Sequence, residues 1–301
     1  MIRAYDPVQD AAGFLKLLNL ATGQNTALDY FLAQEAARPD DQGWARQVAD
    51  QGGRVVGLAE LSPFDFIPPA WRRLVVSVEL EAREQGQGSA LLEWAHAEAG
   101  AQEVAGLSLN VLDHDPASRE WAELRGYALH AHRFASQLDL GQAHPVPEWP
   151  TGIRLRDMTQ ATSGDWERLT DLYGDLLMQT PDLEGQPRWT SEQLRAHSQN
   201  NPRSRPDWML LAVSAGGEWL AFCQGTRIST GIYNEFTGVI PAARGQGLAR
   251  ALKLELIRRA QAAGLGVMRT NNHAANGPML SVNRRLGFEA LAGRWELRRA
   301  L

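Results

Sequence analysis

At 301 residues, with 44% hydrophobic and 22% charged side chains, the chain has a globular composition and the length of two ordinary domains. Its single cysteine, Cys223, excludes an intramolecular disulfide framework and a cysteine-rich zinc site, and no apolar run reaches the roughly 18 residues that cross a bilayer. The net charge of −5 hides an asymmetry: residues 1–150 hold 11 Lys and Arg against 21 Asp and Glu, and residues 151–301 hold 19 against 14, so the first half repels nucleic acid and the second suits an anionic ligand.

The opening Met1-Ile-Arg-Ala-Tyr-Asp-Pro lacks the apolar stretch of a secretory leader, so a cytoplasmic protein with no membrane or nucleic-acid partner is expected. Phe14, Leu15, Leu17, Leu18 and Leu20 predict an early helix. The run 73–78 reads as a strand entering a loop, Arg83-Glu-Gln-Gly86-Gln-Gly88, with Ala90, Leu91, Trp94 and Ala95 continuing as a helix. Residues 141–152 hold three prolines and no apolar period, which reads as an extended linker. Beyond it, Trp166, Leu169, Leu172, Tyr173, Leu176 and Leu177 recur at helical spacing, and Met209–Val213 and Trp219–Phe222 form a hairpin turning at Gly216-Gly217. Residues 236–240 read as a strand entering Arg244-Gly-Gln-Gly247-Leu-Ala249, followed by a helix that ends near Gly264.

These landmarks repeat. Each loop arginine precedes an aromatic by 44 residues, in Gly126-Tyr127 and Gly287-Phe288, and the copies are offset by 161 at both places. Duplication of one unit follows, with domains at 1–140 and 153–301 joined by the linker.

A strand, a glycine loop and a helix suit phosphate oxygens: glycine allows close approach, and the first helical turn offers free amides at the positive end of the helix dipole. Neither loop has the lysine of a P-loop or the third glycine of a dinucleotide fingerprint. Residues 239–252, Val-Ile-Pro-Ala-Ala-Arg-Gly-Gln-Gly-Leu-Ala-Arg-Ala-Leu, instead resemble the acyl-CoA loop of the GNAT superfamily of N-acyltransferases. Residues 276–288, from Asn276 through Asn283 to Gly287-Phe288, resemble that family's second signature, and the first copy matches at Val78, Arg83, Gly86, Gly88, Gly126 and Tyr127.

The resemblance implies an α+β fold, a tandem pair of mixed sheets whose central parallel strands splay apart to admit the pantetheine arm of acetyl-CoA or another acyl-CoA. Val239, Ile240, Pro241, Arg244, Gly245, Gln246, Gly247, Leu248, Ala249 and Asn276 then line the second-copy site. Val78, Leu80, Arg83, Gly86, Gln87, Gly88 and Ser89 form a weaker site in the first copy, where Glu79, Glu81 and Glu84 oppose a pyrophosphate. Where many members carry an acidic tyrosine, this chain has Asn283, and Ala122 in the first copy. Glu235 is the candidate base, with Tyr233 and Asn234 as polar alternatives, and strand alternation puts it on one face with Thr237 and Val239. Trp189 and Trp208 bracket a candidate cover over the substrate pocket. The expected activity is acetyl transfer from acetyl-CoA to a small-molecule primary amine. The alternatives are acetylation of a cysteinyl pseudodisaccharide, as in mycothiol synthases, and a non-catalytic acyl-CoA-binding module. No metal constellation is visible.

Overall fold

The computed structural model describes residues 1–38 and 43–301. In chain order the first copy holds β1 (Ile2–Ala4), α1 (Ala11–Thr22), α2 (Leu28–Ala36), β2 (Ala45–Gln51), β3 (Arg54–Ser62), β4 (Trp71–Val78), α3 (Gln87–Ala101), β5 (Gly106–Leu112), α4 (Pro116–Glu123) and β6 (Ala128–Asp139). The second holds β7 (Ile153–Asp157), α5 (Ser163–Leu177), α6 (Ser191–His197), β8 (Ser204–Ser214), β9 (Trp219–Ile228), β10 (Gly231–Val239), α7 (Leu248–Ala262), β11 (Val267–His273), α8 (Gly277–Arg285) and β12 (Glu289–Ala300).

The chain forms two compact units, but not at the division expected from the sequence. Unit 1 comprises residues 1–132 and 292–301, and unit 2 residues 133–291. The last strand of each copy is exchanged. Residues 133–139 of β6 pair antiparallel with β11, and residues 294–300 of β12 pair antiparallel with β5. The exposed backbone edge of β5 or β11 accepts any antiparallel strand, so duplicated sequences leave the partner unspecified. Residues 143–150 carry no helix or strand, as their prolines dictate, and Trp149 packs on the core of unit 2.

In unit 1 the sheet runs β1-β2-β3-β4-β5-β12. Phe14, Leu17 and Phe31 bury one face with Val48 and Leu58, and Leu91 covers the other with Ala49, Val56 and Ala59. The parallel β4–β5 ladder extends only from Trp71↔Gly106 to Leu74↔Leu109, after which the strands separate.

In unit 2 the sheet runs β7-β8-β9-β10-β11 and ends on residues 133–139 of β6. A capping box fixes the start of α5: the Thr162 hydroxyl accepts from the Asp165 amide and the Asp165 carboxylate accepts from the Thr162 amide. Tyr173 of α5 packs on Phe236 and Phe222, with ring centroids 5.0 and 5.9 Å away, on one face of the sheet. Leu252, Leu256 and Ile257 of α7 cover the other with Ala221, Ile232 and Met268. The parallel β10–β11 ladder has two pairs, Ile232↔Met268 and Tyr233↔Arg269, and the strands then diverge. Both units therefore show the expected splay. Among the described residues no helix is long and apolar enough to cross a membrane.

Candidate active site

A β-bulge sits at the start of the unit 2 splay. Against β9, Asn234 pairs with Gly225 and Phe236 with Gln224, which leaves Glu235 as the extra residue. The bulge resets the alternation, so Glu235 does not share a face with Thr237 and Val239 as expected. Asn234 and Thr237 point toward α7, where both contact Cys223. Glu235 points with Phe236 toward α5. Its carboxylate accepts from the Thr226 hydroxyl at 2.6 Å and lies 3.6 Å from Arg203. Asn234 is thus no neighbour of Glu235 on the α5 face. Tyr173, beside this carboxylate, has its phenol pushed up by burial and further by the Glu235 charge.

On the α7 and α8 face a polar network follows the splay. The Thr270 hydroxyl donates to the Asn234 carbonyl at 3.0 Å. The Asn283 amide donates to Asn272 at 2.8 Å, and Asn272 donates to Ser136 at 2.8 Å. Asn283 is 3% exposed, and among the described residues its Oδ1 has no hydrogen-bond partner. A buried, orphaned acceptor costs about 1–3 kcal/mol, so this oxygen suits a donor brought by a ligand.

The glycine loop lies at the end of β10. Pro241–Ala243 form one 3₁₀ turn, and Arg244 Nε donates to the Val239 carbonyl at 3.3 Å. Gly245 and Gly247 adopt φ of 77° and 82°, and a Cβ on either meets nothing within 4 Å. The first α7 bond runs from the Ala251 amide to the Gly247 carbonyl, so the amides of Leu248, Ala249 and Arg250 precede it without helical acceptors. Arg244 and Gln246 are exposed, and Val239 and Ile240 half-buried; Leu248 is buried in the core and offers the loop its amide alone. Asn276 spends Oδ1 on the Met279 amide as the cap of α8, which leaves only Nδ2 for a ligand.

The first-copy loop has the same trace with different contents. Glu84 takes a left-handed φ of 61° where the second copy has Gly245. Leu80, Arg83 and Gly86 are exposed, Gln87 and Ser89 half-buried, and Val78 buried. A Cβ on Gly88 lies 3.5 Å from the Trp121 ring and 3.8 Å from Val78, so the indole stands against the first turn of α3. Arg125 stacks on Trp121 at 4.1 Å and donates to Ser89 at 3.1 Å. At the repeat offset, Val282 stands where Trp121 does. Glu79 is neutralised by Lys16 at 2.8 Å and Arg54 at 3.2 Å, so its charge opposes phosphate less than the sequence suggests. The β3–β4 ladder runs from Gly57↔Val78 to Ser62↔Arg73 with no bulge. On the α1 face, Glu60, 1% exposed, pairs with Arg46 at 2.7 Å and Arg73 at 3.1 Å.

Trp189 and Trp208, which bracket the candidate cover at residues 199–206, are both buried, Trp208 within the unit 2 core. Sequence reasoning passed over Thr226, Asn272, Lys253 and Trp121. Lys253 carries a visible signal, a cation between Leu252 and Leu254 where the first copy has Leu92.

The profile of the acetyltransferase (GNAT) family matches residues 14–127 and 166–288. Among curated proteins, a mycothiol acetyltransferase of Mycolicibacterium gilvum is 27% identical over 245 residues, covering 79% of this chain and 77% of that protein. One from a Nocardioides species is 26% identical over 275 residues, covering 85% and 89%. Among solved structures, a GCN5-related N-acetyltransferase from Sphaerobacter thermophilus superposes with a TM-score of 0.77 at 19% identity, covering 100% of this chain and 95% of that one. A tandem GNAT protein from the clavulanic acid biosynthesis pathway gives a TM-score of 0.71 at 21% identity, covering 100% and 98%.

Proposed function

The chain belongs to the acetyltransferase (GNAT) family and is an N-acetyltransferase, and on that premise we propose that unit 2 performs the transfer, with Glu235 as base for a small-molecule primary amine. The observation that carries this reading is the bulge at the splay, which turns a carboxylate toward α5 while the orphaned Asn283 oxygen lies on the α7 and α8 face. The acceptor and the acyl donor thereby reach one gap from opposite faces.

Acetyl-CoA supplies an activated thioester. The amides of the 244–250 loop, the open φ-positive glycines and Arg244 fit its pyrophosphate, and Val239, Ile240 and Asn283 fit its arm. An ammonium is no nucleophile, so Glu235 takes its proton directly or through one water. Thr226 and Arg203 hold the carboxylate for this. We assign stabilisation of the oxyanion to backbone amides of the bulged strand beyond the point where β10 and β11 diverge. Asn283 donates to Asn272 and has no acidic proton, so the leaving thiolate is protonated by water, as a thiol pKa near 8.5 allows.

In unit 1, Trp121 covers the helix start, the β3–β4 ladder has no bulge and the Glu60 ion network fills the α1 face; these support a scaffold role. The test is CoA release from acetyl-CoA with a panel of amines. Turnover by wild type but not by Glu235→Gln supports the reading; turnover by both removes Glu235 as base.

The mycothiol acetyltransferases aligned over more than three quarters of the chain favour a second reading, acetylation of a cysteinyl pseudodisaccharide. A preference for a cysteinyl amine over polyamines and aminoglycosides in the same panel would select it.

A further inference from the structure

Lys253 is 1% exposed, on α7 between Leu252 and Leu254. Burying an ammonium costs several kcal/mol, normally offset by a carboxylate. Among the described residues no carboxylate pairs with this one. Nζ donates to Asn234 Oδ1 at 2.5 Å and lies 5.3 Å from the Phe288 ring centroid, with the Cys223 thiol as its titratable neighbour.

Asn234 explains the expense. Its Oδ1 also accepts from the Thr237 hydroxyl at 3.1 Å. Its Nδ2 donates to the Phe236 carbonyl at 2.9 Å and across to the Gln224 carbonyl at 3.0 Å. One amide thus ties the residue before the bulge to the residue after it and to β9. An amide can satisfy these bonds in one orientation only, and an ammonium, which has donors and no acceptor, forces Oδ1 to its own side. Charge assistance makes that bond about twice as strong as a neutral one.

Unit 1 supplies the comparison. At the repeat offset Lys253 corresponds to Leu92, which sits in an apolar cluster. There the ladder runs without a bulge. The buried lysine and the bulge occur together in one unit and are absent together from the other.

We propose that Lys253 is a positioning residue for acetyl transfer: acting through Asn234, it holds the bulge that turns Glu235 onto the α5 face. This rests on the assignment of the reaction to unit 2.

The test uses the full chain as wild type, Lys253→Met, Asn234→Ala and the double variant. Amide hydrogen exchange is followed at residues 235–237. CoA release from acetyl-CoA is followed with spermidine, ethanolamine and glucosamine as amine probes. In Lys253→Met the 236 and 237 amides are expected to exchange at least 10-fold faster. The kcat is expected to fall at least 10-fold while KM for acetyl-CoA stays within twofold. The double variant is expected to be no slower than the worse single variant, because both act through one contact. Unchanged protection in Lys253→Met, or losses that multiply in the double variant, would overturn the proposal. If wild type releases no CoA, the assignment of the reaction fails, and the exchange data alone decide whether Lys253 holds the bulge. Should Asn234→Ala not fold, Asn234→Leu, which removes both polar atoms at similar volume, serves the same comparison.

Discussion

The Thr226 hydroxyl donates to Glu235 Oε1 at 2.6 Å from the neighbouring strand, and Thr226 itself is wholly buried. The carboxylate is therefore aimed by a rigid element rather than by solvent. Glu235→Gln keeps the shape and removes the proposed base. We expect the rate of CoA release to fall by about 10²–10⁴, the range for a lost general base, with acetyl-CoA affinity by calorimetry within twofold. Thr226→Val is expected to give a smaller loss, on the order of 10-fold, the equivalent of about 1.4 kcal/mol.

Asn283→Leu removes the orphaned oxygen and keeps the volume approximately. If that oxygen receives a donor from the acyl-CoA arm, acetyl-CoA binding weakens by about 5- to 10-fold, the effect of one ordinary hydrogen bond. Equal affinity in wild type and variant would place the arm away from Asn283.

Gly247→Glu and Gly86→Glu form a matched pair, since both glycines have positive φ and open space around Cβ. Each pays about 1–2 kcal/mol of left-handed strain and puts a carboxylate on a helix start. Titration of acetyl-CoA should show one site in wild type and in Gly86→Glu, and none in Gly247→Glu. Two sites in wild type, each lost separately, would make unit 1 a second cofactor domain.

Burial lowers Lys253 from 10.5 to about 8. Between those values the unfolded chain holds a proton that the native state has shed, so stability rises with pH across this window. The gain approaches ~3 kcal/mol at the top of the window, from ~1.4 kcal/mol per pKa unit. Cys223, its thiol pushed up by burial, works in the opposite direction, and more so in Lys253→Met, which lacks the lysine charge that lowers it. Urea unfolding of the two proteins from pH 7 to 10 should show wild type gaining on the variant; parallel curves would contradict a lowered lysine.

Glu60 holds both Arg46 and Arg73 in unit 1, and Glu35 is a further partner of Arg46. Removing one member of a buried ion network leaves the rest uncompensated, so Glu60→Ala should cost about 3–5 kcal/mol. Thermal unfolding measures this, while acetyl-CoA affinity in the folded protein should not change.

Much of this architecture was legible because its signals are local. Phe14 and Leu17, or Leu169 and Tyr173, mark helices by spacing alone, and Gly216-Gly217 marks the β8–β9 hairpin, with Gly217 at a φ of 87°. The glycine loops read correctly because positive φ at Gly86 and Gly247 demands that residue type. The bulge at Glu235 was not legible, because an extra residue exists only relative to the register of β9. That one residue reversed the face expected for Glu235. The position of Trp121 against the first turn of α3 was also hidden, since an aromatic on α4 reads as ordinary core until its distance from Gly88 is known. The exchange of β6 and β12 left no trace, because strand pairing is made by backbone and the two copies offer similar edges.

That exchange bears on how the molecule is made. The β5 edge of unit 1 is completed by residues 294–300, which leave the ribosome after every residue of unit 2. Unit 1 therefore spends most of synthesis with an open edge, although its sequence comes first. The second unit to be translated is the first to have all its strands. A nascent chain halted before β12 should contain a finished unit 2 beside an unfinished unit 1, the reverse of the order in which their codons are read.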